Sequence, residues 1–451
     1  MARNGRGNPA TLLITAFVIV ILAAAPAQET DEATSPTASR RYALEPLATA
    51  IRESIIEKLP FEIHGFVEAR GGVRLQDNKQ IARTATIGET RLQLETTWWL
   101  DWAAIKLKSD FYYDGVEKDA RADLREANIT LTPFEFMDLK IGRQVLTWGT
   151  GDMLFINDLF PKDWNSFFIG RDDEYLKAPS DAVKAGFFSD IANLDIVYVP
   201  QFDPDRYITG KKISYWSDML GRHAGTEDHL NANEPERWFR DDEIHARIYK
   251  NIRGYEAALY YYNGFWKSPG GMDPISGKAL FPRLNVYGAS VRGNLFKGIG
   301  NLEAGYYDSA NDRSGRDPFI NNSQFRVLAG YEQELARDLT GGFQYYIEHM
   351  TDHGAYSRTL PDGAYPDDRT RHVMTLRLTK MLMNQNLKMS LFLYYSPSDN
   401  DAYLRPKVNY KFSDSLSGEV GANVFLGSED QTFFGQFEDN TNIYAAMRWN
   451  F

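Results

Sequence analysis

The sequence predicts an all-β chain: a transmembrane antiparallel β-barrel of about eighteen strands (16–18), with short turns at one end and long loops at the other. Three observations carry this. The chain begins with an export-type segment and has no later apolar run long enough to span a bilayer as a helix. From Phe61 onward, polar and apolar residues alternate with a period of two. The connections between alternating segments are sorted by length.

Residues 1–27 read as a signal peptide. Arg3 and Arg6 supply a positive start, Leu12–Ala23 an apolar core, and Ala25-Pro26-Ala27 a small-x-small cleavage site before Gln28. The apolar core is shorter than the roughly 20 residues a membrane-spanning helix needs. Residues 28–60 read as a periplasmic linker ending in a short amphipathic helix. The polar stretch 28–42 is rich in Ser, Thr and acids. Leu47, Ile51, Ile55 and Leu59 then recur every four residues, one stripe of a helix. Packed on the barrel base, that helix is structural; left free, it is a candidate contact for a periplasmic partner.

Residues 61–451 carry the alternation. Arg91-Leu92-Gln93-Leu94-Glu95, Ile105-Lys106-Leu107-Lys108 and Ile244–Tyr249 are clear examples. A strand places such residues on opposite faces. Strand starts are expected near 61, 86, 103, 122, 137, 181, 193, 241, 254, 283, 300, 323, 340, 371, 386, 402, 416 and 441. The links after even-numbered strands are short: 100–102, 132–138, 190–193, 251–254, 296–300, 336–340, 383–386 and 413–416. The links after odd-numbered strands are mostly long: 76–84, 148–180, 202–240, 267–281, 308–322, 351–370 and 427–440, with shorter ones near 115–120 and 397–401. A soluble sandwich has no reason to sort its loops this way. An even strand number puts both termini on the short-turn side, and closure leaves no strand edge in lipid.

Composition narrows the function classes. Removing Arg3 and Arg6 takes the net charge from −11 to −13, which argues against a nucleic-acid partner. The absence of Cys excludes thiol catalysis, thiolate metal sites and lipidation through Cys. With 25 Tyr, 27 Phe and 9 Trp, the chain has the aromatics an interfacial girdle requires. Trp98, Trp99, Trp102, Trp148, Trp266 and Trp449 lie near strand ends and are expected in that girdle. No Gly-x-Ser-x-Gly, phosphate-binding loop or His-Glu-x-x-His occurs, so neither an enzyme nor a cofactor is expected. His349 and His353 are four apart but fall at a strand end and in a polar loop, so no metal site is expected.

The chain ends with Ile443, Ala445, Met447, Trp449 and a terminal Phe451 at every second position. This resembles the assembly signal of Gram-negative outer-membrane barrels. The segment Gly142-Arg143-Gln144…Trp148-Gly149 resembles a strand-to-loop motif of porin-like barrels. The resemblance covers about ten residues at the motif and, architecturally, residues 61–451. It implies an outer-membrane location, recognition by the assembly machinery and a porin-like channel for passive or selective passage of small polar solutes. The alternative is a barrel in an export or electron-transfer assembly that docks a periplasmic partner. The other expected partners are outer-membrane lipids.

Parity assigns the expected lumen residues: Arg91, Glu95, Lys106, Lys108, Asp110, Lys140, Arg247, Arg292, Glu303, Arg377, Arg405, Lys407, Glu419 and Arg448. A basic side chain facing lipid at midplane costs about 2–4 kcal/mol, so these are expected inside. Their basic excess points to anionic or polar solutes. Arg143 breaks the rule, since parity with Leu139, Ile141 and Val145 faces it to lipid unless a bulge or the rim accommodates it. Loop 148–180 mixes seven aromatics with the charges Asp152, Asp158, Lys162, Asp163, Arg171, Asp172, Asp173 and Glu174. Folded inward, it would narrow the lumen, its charges setting selectivity; packed outward, it would cap the rim.

Overall fold

The computed structural model describes residues 62–451, so the expected signal peptide and the expected 44–59 helix lie outside the described residues. Eighteen strands form the wall: β1 (His64–Arg74), β2 (Ala85–Leu100), β3 (Ala103–Asp114), β4 (Asp119–Phe134), β5 (Met137–Val145), β6 (Pro179–Phe187), β7 (Asn193–Val199), β8 (Glu243–Ile252), β9 (Tyr255–Phe265), β10 (Arg283–Leu295), β11 (Gly298–Ser309), β12 (Gln324–Ala336), β13 (Leu339–Met350), β14 (Thr370–Leu382), β15 (Leu387–Ser396), β16 (Asp401–Lys411), β17 (Leu416–Gly427) and β18 (Asn442–Asn450). Each pairs antiparallel with the next, and β1 closes on β18 from Phe66↔Asn450 to Arg74↔Asn442. Each observed start lies within about three residues of the expected one. Closure satisfies every strand edge, as a barrel in a hydrocarbon slab requires.

Why the chain adopts this form is legible in β1. Val67 (38% exposed) and Val73 (42%) point outward, while Glu68 (4%) and Arg70 (5%) are buried. That inverts the usual arrangement of a soluble protein. Elsewhere Leu107, Phe111, Leu259, Val291, Leu302, Phe325, Phe343, Val420 and Met447 continue the exposed apolar band. Inside, charges are paired. Arg70 lies 2.9 Å from both Glu68 and Glu419, and Arg91 lies 2.9 Å from Glu89 and 2.7 Å from Asp110.

The short turns follow from backbone chemistry. Between β8 and β9 the two central residues, Arg253 (φ 54°) and Gly254 (φ 88°), both take positive φ, the twist that suits a two-residue hairpin. The long links lie at the opposite end. Two of them carry short helices, α1 (Trp164–Ile169) and α2 (His353–Thr359).

Arg143 is accommodated by a bulge on its neighbour. Pairing of β3 with β4 skips Arg125: Lys108 faces Glu126 and Ser109 faces Leu124. The extra residue switches the inward parity of β4 and turns both Arg125 and Glu126 inside. Beside it, Arg143 Nε donates to Leu124 O at 2.7 Å, and Nη1 reaches Asp181 at 2.8 Å.

Two girdle expectations are corrected. Trp148 and Trp266 are buried inside the barrel, Trp148 packed edge-on to Phe160 (5.1 Å between centroids) and Trp266 against Tyr307 (5.7 Å). Both sit where a strand hands over to an inward-turning loop, which strand-end position alone does not distinguish from an outward one. Trp99 and Trp102 are exposed at the short-turn end, as interfacial anchors would be.

Candidate functional site

The link from β5 to β6, residues 146–178, does not cap the rim. It enters the barrel and crosses the lumen. Its entry is built on Glu303 of β11. That buried carboxylate accepts from Thr150 N (2.7 Å), Thr150 Oγ1 (2.9 Å), Gly151 N (3.1 Å), Asn157 N (2.8 Å) and Asn157 Nδ2 (3.0 Å). Gly149 permits the approach, since a Cβ there would stand 2.9 Å from Glu303 Oε1. The loop then runs past Tyr307, whose hydroxyl donates to Ile156 O at 2.5 Å, and Tyr394, whose hydroxyl donates to Met153 O at 2.7 Å.

Helix α1 forms at the far side. Asp163 caps it by accepting from Ser166 N at 2.7 Å, and Gly170 ends it in the left-handed region (φ 84°). Only glycine fits there, because a Cβ would strike the Tyr444 ring at 2.2 Å. Phe167 and Phe168 pack on Tyr403 and Phe425 of the opposite wall. Arg70 Nη1 donates to Gly170 O at 2.7 Å.

The charged residues of the loop bind the wall one by one. Asp152 takes Arg377 (Nη2 at 2.8 Å). Arg171 pairs with Glu89, and Asp172 with Arg448 at 3.3 Å. Asp173 takes Arg405 (3.0 Å) and Lys407 (3.2 Å), and Glu174 takes Lys108 (3.2 Å). Burial alone would raise the Asp173 carboxyl, but Arg405 and Lys407 hold it well below the usual carboxylate range. Asp158 and Lys162 pair within the loop at 3.1 Å, both buried.

All fourteen expected lumen residues have inward parity. Eleven of them form ion pairs: Arg91 and Asp110 with each other, Glu95 with Lys106 and Lys108, Arg247 with Glu256, Lys407 with Glu419, and Arg377, Arg405 and Arg448 with the partners above. Glu303 anchors the loop. Lys140 and Arg292 have no carboxylate partner within ion-pair distance among the described residues. The list from the sequence omitted Glu68, Arg70 and Glu89, although parity with Phe66 and Arg91 places them inside. It also omitted Arg206 and Lys212 of the β7–β8 link, where no period marks them. His349 bonds Thr370, His353 bonds Asp367 O, and no metal-type cluster occurs among the described residues.

Residues 200–242 cross the mouth above the inward loop. Arg206 reaches Asp123 (2.8 Å) and Asp163 (3.4 Å). Lys162 N donates to Asp205 at 2.7 Å, and Asn440 Nδ2 donates to Ser214 Oγ at 2.9 Å. Two cavities flank these loops. One, of about 480 Å³, is charged and lies against β3 and β4, lined by Arg121, Asp123, Arg171, Arg206, Lys211 and Lys212. The other, of about 460 Å³, is rich in aromatic side chains and lies between the two loops and the opposite wall.

Asp203, in the mouth-crossing link, yields a pH prediction. Burial, with Glu243 and Asp181 nearby, pushes its carboxyl up to about 6 despite Lys267. The folded chain therefore holds a proton that the unfolded chain releases near the ordinary value of 3.8. Stability falls as pH rises from about 4 to about 6, and the penalty persists above that. Asp203→Asn should stabilise by roughly 1–2 kcal/mol at pH 8 and by nothing below pH 4. The midpoint of the heat-induced gel-mobility shift, measured at both pH values, checks this; an equal shift at both would refute it.

Fold and lumen together define the class: a large closed antiparallel β-barrel of eighteen strands with a charged, ion-paired interior. Among solved structures, the chain is similar to OccAB3 of Acinetobacter baumannii, with a TM-score of 0.54 and 9% identity over 87% of this chain and 99% of that one. It is also similar to OccAB4 of the same organism, with a TM-score of 0.52 and 11% identity over 88% and 100%. No family model and no curated protein matches. At these identities the likeness is one of fold.

Proposed function

We propose that this protein is a channel of the Gram-negative outer membrane for small polar solutes, its passage narrowed by the inward loop 146–178. One observation carries the reading: an apolar exterior around a charged interior, with a loop pinned across the lumen by Arg377, Arg405, Lys407, Arg448 and Glu303. Ion-paired walls favour passage of hydrated solutes without trapping them, and Lys140 and Arg292 add a mild positive bias. The proposed role of Asp152, Asp158, Lys162, Asp163, Arg171, Asp172 and Asp173 is to hold the loop in place more than to face the solute.

Planar-bilayer recording of the refolded mature barrel tests this. Discrete current steps in KCl are expected; their absence under folded, heat-modifiable conditions refutes a channel. The terminal pattern Ile443, Ala445, Met447, Trp449 and Phe451 supports recognition by the assembly machinery. Residues 443, 445 and 447 face outward on the closing strand, and Phe451 N donates to Gly65 O at 3.0 Å. Deleting Phe451 should sharply lower the heat-modifiable fraction in cells while in-vitro refolding persists. Equal yields of folded protein in cells would sink that role.

A further inference from the structure

We propose that the aromatic cavity between the inward loop and the mouth-crossing loop is a binding chamber for an uncharged solute that carries an aromatic ring. This rests on the channel reading and names its substrate class.

The first observation is the wall. Phe155 and Trp164 come from the inward loop, Trp266, Tyr307 and Tyr394 from the barrel, and Phe434 from the last long loop. The polar tip of each of these amphipathic rings already has a partner within the protein. Trp164 Nε1 donates to Asp205 at 3.1 Å, Trp266 Nε1 to Ser309 at 3.4 Å, Tyr307 to Ile156 O and Tyr394 to Met153 O. Between its ion-paired borders the chamber therefore presents ring face and edge. Such surfaces are poorly hydrated and prefer another ring in offset or edge-on contact. The volume, about 460 Å³, falls in the range of small-molecule sites.

The second observation concerns charge. Four cations border the chamber, and each has its own carboxylate. Arg326 lies 3.2 Å from Glu348 and stacks 4.0 Å over Tyr307. Arg371 lies 2.5 Å from Asp399, Lys267 2.7 Å from Glu243, and Lys162 3.1 Å from Asp158. A fifth carboxylate, Asp205, is satisfied by neutral donors: Lys162 N, Trp164 Nε1 and Ser268 Oγ. Arg371 keeps one unpartnered guanidinium nitrogen, Nη2, but five carboxylates stand against four cations, so a solute carboxylate meets no net positive charge and Asp205 repels it. The neighbouring charged cavity offers hydrated ions a separate space, so the aromatic one is not needed for them.

Isothermal titration calorimetry on the mature barrel in detergent tests the chamber without requiring any current. Phenyl β-D-glucoside and methyl β-D-glucoside differ only in the ring. The phenyl compound should bind roughly tenfold tighter or more. Phe434→Ala and Phe155→Ala should each erase most of that difference. Phe155→Leu, which keeps bulk without a ring, should behave like Phe155→Ala, and Arg121→Ala in the charged cavity should leave the difference intact. Heat-modifiable migration confirms that each variant is folded. Equal affinity for the two glucosides overturns the chamber. Tighter binding of 4-carboxyphenyl β-D-glucoside than of the phenyl compound overturns the uncharged class. Current steps in KCl with no ring preference leave the channel standing and refute the chamber alone.

Discussion

Glu303→Ala is expected to release the entry of the inward loop while the barrel stays closed. The carboxylate is 1% exposed and accepts from five donors between Thr150 and Asn157. Bonds to an ionised group contribute about 1.5–3 kcal/mol each, and donors left unsatisfied cost about 1–3 kcal/mol each. These figures are not additive, because freed donors find water. A loss of about 3–5 kcal/mol at the loop is expected. The strand pairing of β11 with β10 and β12 involves backbone alone, so it survives. The variant should show noisier open-channel current and new proteolysis within 148–162. An unchanged current trace together with an unchanged digestion pattern would refute the anchoring role.

Deleting residues 152–175 should raise single-channel conductance roughly twofold or more, because the segment crosses the lumen. Charge selectivity should move at the same time. The deleted segment holds six carboxylates (Asp152, Asp158, Asp163, Asp172, Asp173, Glu174) and two cations (Lys162, Arg171), so the lumen loses four negative charges. Arg377, Arg405, Arg448 and Lys108 would lose partners and face water. Reversal potentials in a KCl gradient should therefore shift toward chloride. Buried charges lose their partners but gain solvent, so the wall should still assemble. Conductance equal to that of the intact chain would remove the constriction from the proposal, whatever the selectivity.

The two experiments probe different links. Glu303 tests whether one carboxylate fixes the route of the loop. The deletion tests whether that route governs flow.

The sequence by itself determined the strands, their ends and the sidedness of the links. A strand has a period of two, and in a barrel each face meets one kind of surroundings, so Arg91-Leu92-Gln93-Leu94-Glu95 reports its own orientation without help from the rest of the fold. The inward set from Arg91 to Arg448 followed from the same local rule. Tertiary structure alone decided what depends on distant partners. The skip at Arg125 is visible only in the pairing of β3 with β4, and it explains Arg143. The inward path of 146–178 depends on Glu303, Arg377, Arg405 and Arg448, far along the chain. Trp148 went inside because that path offered Phe160 as a neighbour, and Trp266 because it packs on Tyr307 of the facing wall. Periodicity records which side of a strand a residue occupies. It carries no information on where a loop finds its counter-charges, because those are brought near only by closure.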